Sequence, residues 1–340
     1  MTPGSARKGN VSASERCFGP HSAKRLGSQH RVTDPPQHFD PGDVSLPPEH
    51  LHELESWLRQ REAAYPDLIP GTEKQITWHG PAGRPTDIAV VFIHGFSASR
   101  QELAPLPQQI ASAYQANLYC TRLRGHGRGP EPFADLSPED FLQDGWEALA
   151  IGRKLGKRVI LLGSSTGGTV ALWLAQTSTD VVATVLLSPN FGLAQARFWQ
   201  ALPYCLLRGR WGRRIARQLW GPYFTQFEPQ TDAHRRYWTS RYRTEGLVAL
   251  FSFLAWSRKL AFAQVTSPCF MAYSPHDTVL DLRALQTAFA RVGSADKQLL
   301  RFDVASGHVL AGDVLSPSTT EPLKDAILGF LQRVLPAATD

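Results

Sequence analysis

The stretch VILLGSSTGGTVALWLA, residues 159–175, runs from an apolar segment through glycines and hydroxyls into a helix-like pattern. The frame G-x-S-x-G fits it in one register, Gly163-Ser164-Ser165-Thr166-Gly167, because centring it on Ser164 would need a glycine at 162, which is leucine. A nucleophile at the tip of a sharp strand-to-helix turn requires unusual backbone angles, and small residues two positions either side let strand and helix approach. Ser165 is therefore the candidate nucleophile. Its hydroxyl is a weak nucleophile unless a histidine takes the proton and an acid holds that histidine. His308 in VASGHVL follows the final strand-like run, and no histidine comes after it. Asp277 in AYSPHDTVL directly follows the apolar run PCFMAYS, with Asp281 and Asp303 as alternatives for the acid. The negative oxygen formed during acyl transfer also needs two preorganised N–H donors. Thr166, directly after the nucleophile, offers one, and Phe96 in the loop FIHGFSAS, residues 92–99, offers the other. His94 and His126 read as loop braces, and His276 reads as a surface residue.

These residues need strand ends to carry them, and the chain supplies strand-like runs at 74–79, 87–94, 117–123, 158–163, 182–188, 268–274 and 298–303. Several are unbroken Val/Ile/Leu segments, as expected of strands covered on both faces of a parallel sheet. Helix-like stretches lie between them, including PLPQQIASAYQ, SPEDFLQDGWEALAIGRKL and RALQTAFARV. This alternation predicts an α/β fold with a mostly parallel sheet flanked by helices. The rhythm breaks between Ser188 and Pro268, an interval too long for one crossover helix. Its length, basic excess and many aromatic residues predict an inserted helical cap over 191–262. The expected core then spans 46–190 and 263–340.

Composition limits the remaining possibilities. Hydrophobic residues make up 42% and charged residues 19% of the 340, a globular balance. No apolar run approaches the roughly 20 residues needed to span a bilayer. Cys17, Cys120, Cys205 and Cys269 form no CxxC pair and suggest neither a zinc site nor a disulfide framework. The net charge is +6, yet residues 197–259 alone hold twelve Arg or Lys against three acids. The basic excess thus belongs to the cap, where arginines can form a solvated face or make weak contact with anionic surfaces. No accompanying motif points to nucleic acid. Residues 1–45 read as a basic, disordered tail without the apolar core of a secretory signal, which favours a cytoplasmic location over organelle targeting.

The motifs HGF at 94–96, RLRGHGRG at 122–129, GSSTGG at 163–168, SPHDTVL at 274–280 and GHVL at 307–310 together resemble the α/β-hydrolase superfamily. The likeness is to capped serine esterases and lipases of the monoacylglycerol-lipase or carboxylesterase type, and covers roughly residues 70–335. It implies an eight-stranded-type sheet, a cap after the sixth strand, no cofactor, no metal, and a Ser165–Asp277–His308 triad in that family's chain order. It also implies hydrolysis of carboxylic esters through an acyl-enzyme, with a small ester or lipid-like molecule as substrate. Ser-Ser-Thr at the elbow replaces the His-Ser-Met common in relatives, which leaves the substrate subfamily open. Amide, peptide or thioester hydrolysis and acyl transfer use the same parts. A reading from another class is a catalytically silent binding protein on the same fold.

Overall fold

The computed structural model describes Met1, Val44 and residues 46–194, 211–305 and 307–335. The chain divides after Arg31, and all the elements below belong to the unit Val32–Asp340. The expected tail over 1–45 lies outside the described residues, apart from Met1 and the buried Val44. Cys17 and Cys205 also lie outside them, while Cys120 and Cys269 are free and buried.

Each strand-like run in the sequence forms a strand. Following α1 (Leu54–Glu62), the chain forms β1 (Gln75–Thr77), β2 (Thr86–Ile93), α2 (Leu106–Ala113), β3 (Asn117–Cys120), α3 (Pro138–Leu155), β4 (Gly156–Ser164), α4 (Thr166–Thr177) and β5 (Val181–Leu187). A short antiparallel pair, β6 (Tyr223–Thr225) and β7 (Arg241–Arg243), precedes β8 (Cys269–Tyr273) and β9 (Lys297–Arg301). The main sheet has seven strands in the order β1-β3-β2-β4-β5-β8-β9, and only β1 runs antiparallel.

Alternation along β2 explains why both faces are covered. Ala89, Val91 and Ile93 enter one buried cluster with residues of α3 and α4. Ile88, Val90 and Phe92 enter a second cluster with α2 and the last helix, Pro317–Val334. Because successive strand side chains point to opposite faces, one apolar run serves two cores. Local signals set the helix starts as well: Pro138 opens α3, and the Asp140 carboxylate accepts the Ser137 amide at 2.8 Å in a capping box.

Two details depart from expectation. The main sheet holds seven strands among the described residues instead of eight, and the insertion follows the fifth strand of this sheet instead of the sixth. The segments either side of β1, YPDLIPGTEK and HGPAGRPT, are rich in proline and glycine, which remove ladder donors and favour turns. The described part of 191–262 is also mixed: beside helices Gly212–Trp220, Asp232–Tyr237 and Glu245–Ser257 it contains the β6–β7 pair. Several of its arginines make internal contacts. Arg217 and Arg243 pair with Glu245, Arg243 also with Glu131, and Arg213 donates to the Ala134 and Leu136 carbonyls.

Candidate active site

The sheet order places a switch point beside β2. The chain leaves β2 towards β3 on one side and returns to β4 on the other, so the loops after β2 and β4 diverge and open a crevice at the strands' carboxyl ends. The loops after β8 and β9 reach the same edge, and together these four loops carry Ser165, Thr166, Asp277, His308 and Phe96.

Ser165 lies between β4 and α4 at φ 50° and ψ −118°, a conformation that non-glycine residues rarely adopt. Its neighbours make the turn feasible. A Cβ on Gly163 would meet the Gly167 carbonyl at 2.6 Å, and one on Gly167 would run into the Ile93 carbonyl of β2. The elbow is held from behind, where Ser165 N–H donates to the Leu187 carbonyl and the Asn190 N–H donates to the Ser165 carbonyl.

His308 Nε2 lies 2.9 Å from Ser165 Oγ, and its Nδ1 lies 2.7 Å from Asp277 Oδ2. An ionised carboxylate only accepts, so Nδ1 carries the hydrogen and Nε2 is left with a lone pair facing the serine hydroxyl. The other Asp277 oxygen, Oδ1, accepts the amides of Val279 at 2.7 Å and Leu280 at 3.1 Å, which fixes the carboxylate's orientation. Ser274 links the two loops, donating to the Ala305 carbonyl while accepting the His276 amide. Burial acts to raise the Asp277 carboxyl, but the His308 hydrogen bond and charge, with the two amides, hold it below the usual carboxylate value. For His308, burial acts downwards and is outweighed by the Asp277 hydrogen bond and charge together with the charge of Glu102, so its pKa lies above 6.5. The rival acids are engaged elsewhere. Asp281 caps helix Leu282–Arg291, accepting the Arg283 and Ala284 amides, and Asp303 pairs with Arg301.

Thr166 is the first residue of α4, and the amides of a helix's first turn have no partner within the helix. Among the described residues no protein acceptor takes the N–H of Thr166 or of Phe96. The Phe96 ring packs edge-on against Phe133, His126 and Tyr242, the last from β7. The Thr239 amide also donates to the Ser97 carbonyl at 2.8 Å, so the insertion is fastened to the loop that carries Phe96.

His94 is fully buried, accepts the Leu123 amide at Nε2 and therefore donates from Nδ1 to the Gly95 carbonyl at 2.8 Å. Burial pushes its pKa down to about 4, despite the Gly95 hydrogen bond. His126 donates from Nδ1 to the Arg124 carbonyl, and burial with neighbouring His94 pushes it down to about 3. One group at this edge went unnoticed in the sequence. Glu102 is 2% exposed, accepts the Gly95 amide at 2.7 Å, and acts electrostatically on His308. Among the described residues no three His, Cys, Asp or Glu side chains converge as a metal site.

The fold and the loop arrangement define an α/β-hydrolase architecture. The model of the alpha/beta hydrolase family matches residues 90–316, and the chain belongs to that family. A thermostable monoacylglycerol lipase of Bacillus sp. strain H-257 is 29% identical over 122 residues, 36% of this chain and 45% of that protein. The chain thus spans under half the length of the curated relative it matches. Among solved structures, one from a study of the metagenome-derived lipolytic enzymes LipS and LipT superposes with a TM-score of 0.60 at 18% identity, covering 78% of this chain and 99% of that one. The monoacylglycerol lipase of Paleococcus ferrophilus gives 0.55 at 17% identity, covering 76% and 97%. At these identities the structural likeness speaks to fold. Among the described residues no helix is long and apolar enough to cross a membrane.

Proposed function

We propose that the chain is a serine hydrolase that cleaves carboxylic esters through an acyl-enzyme on Ser165. The observation that carries this reading is the continuous relay from Ser165 Oγ through His308 to Asp277, with both hydrogen bonds at 2.9 Å or less. His308 Nε2 takes the hydroxyl proton as Oγ attacks the ester carbonyl, and the Phe96 and Thr166 amides receive the developing oxyanion. His308 then protonates the departing alcohol. In the second half a water molecule gives its proton to the same nitrogen and attacks the acyl-enzyme, releasing the acid and restoring Ser165. Asp277 keeps the imidazole in its Nδ1–H form and stabilises the imidazolium.

Residues 191–262 serve as the cap. Tyr242 from this segment, with Phe96, Phe133, Phe141 and Phe253, builds a contiguous aromatic cluster beside the oxyanion loop, suited to a lipid-like acyl group. The similarity to a monoacylglycerol lipase over part of its length supports the same substrate class. The strained φ of 50° at Ser165 supports an enzyme over a silent binding protein, since such strain costs about 1–3 kcal/mol and a binding role gives no return for it. Hydrolysis of p-nitrophenyl esters of increasing chain length tests the reading: wild type should turn them over and Ser165→Ala should not. Equal rates from the two proteins, or no turnover by wild type, would overturn it.

A further inference from the structure

The carboxyl of Glu102 lies within the triad's neighbourhood and has no part in the relay described above. It sits on the short turn Arg100–Glu102 that follows the oxyanion loop, and it is 2% exposed. One oxygen, Oε2, accepts the Gly95 amide at 2.7 Å, and the Ser164 side chain hydrogen-bonds to the same carboxyl. The nucleophile is equally close to this glycine: a Cβ on Gly95 would meet Glu102 Oε1 at 2.8 Å and Ser165 Cβ at 3.1 Å. Gly95 is thus the floor shared by the carboxyl and the elbow. Burial pushes the Glu102 carboxyl above the usual carboxylate value, and the Gly95 amide, the His308 charge and the Ser164 side chain act against that rise. Burying a carboxyl there costs stability unless those contacts are used.

We infer that Glu102 is a second acid of the site, a positioning residue that fixes the His94–Gly95 peptide at the base of the oxyanion loop and whose charge favours the imidazolium of His308. This rests on the ester-hydrolase reading for its catalytic meaning. The Gly95 N–H belongs to the His94–Gly95 peptide and the Phe96 N–H to the next one, whose carbonyl accepts the His94 Nδ1–H at 2.8 Å, so Glu102 and His94 anchor the two peptides in succession. The charge of the same carboxyl acts on the base in the same direction as that of Asp277. The charged groups acting on His308 are these two, one from the loop after β8 and one from the turn after β2.

The test uses the full chain with Glu102→Gln and Glu102→Ala. Glutamine keeps a carbonyl oxygen for the Gly95 amide and removes the charge, whereas alanine removes both. In Glu102→Gln the His308 pKa, read from the imidazole nitrogens by NMR and from the acid limb of kcat/KM, should fall. In Glu102→Ala kcat should drop by about 10²-fold with KM little changed, comparable to losing one oxyanion donor, and glutamine should recover much of that loss. An unshifted His308 titration in Glu102→Gln overturns the proposal, as does undiminished kcat in Glu102→Ala. If the alanine variant does not fold, the glutamine titration decides. Wild-type protein that hydrolyses no ester while its His308 pKa still responds to Glu102→Gln would sink the esterase reading and leave this contact standing.

Discussion

His308 and the His94–His126 pair lie at the same edge of the sheet, in surroundings that differ in one respect. Burial acts on all three rings to disfavour the charged form. His94 and His126 donate to backbone carbonyls, which cannot balance a full charge, and their pKa values fall to about 4 and about 3. His308 donates to a carboxylate, and its pKa moves up instead. What the Nδ1–H of a buried histidine meets decides which way its pKa moves. The two rings 5.3 Å apart in the brace region also discourage each other's protonation, whereas around His308 every charged neighbour favours it.

Removing the carboxylate from the base region should have the largest effect. Asp277→Asn leaves His308 without the group that fixes its tautomer, and kcat should fall by about 10⁴-fold in steady-state assays. A pH profile tests the same contrast without mutation. Reaction requires neutral His308, so kcat/KM should decline as pH falls through a value above 6.5, and no limb should come from His94 or His126, which titrate far lower. In the brace region, His94→Ala leaves the buried Leu123 amide unpaired and the Gly95 carbonyl with only the Ala98 amide at 3.3 Å. Thermal unfolding should then show a loss of about 1–3 kcal/mol, with the acid limb of the pH profile unmoved. The smallest change is expected from Asp281→Asn, because asparagine also serves as an N-cap and the side chain makes no contact with His308, so kcat and melting temperature should both stay near wild type. A loss at Asp281 equal to that at Asp277 would break the comparison.

Much of this was legible in the chain itself, for physical reasons. Strands buried on both faces leave unbroken apolar runs, and all seven runs became strands of the main sheet. Ser165, Asp277 and His308 stood out because each directly follows such a run, where loops meet at one edge. Glu102 was not legible: SRQEL reads as the polar start of a surface helix. What buries its carboxyl is tertiary, namely the approach of Gly95, whose amide it accepts and which also lies against Ser165. The β6–β7 pair escaped notice because YFT and RYR are three residues each, too short for a period of two to register. The eighth strand was an expectation carried by family likeness; the main sheet holds seven among the described residues.

The central claim is that Ser165 is an activated nucleophile, and covalent labelling addresses it directly. Treating wild-type protein and Ser165→Ala with a fluorophosphonate, then mapping the adduct by mass spectrometry, should place a single phosphonylation on the wild-type peptide containing Ser165 and none on the variant. An adduct on another residue, equal labelling of both proteins, or no labelling of wild type would contradict the account.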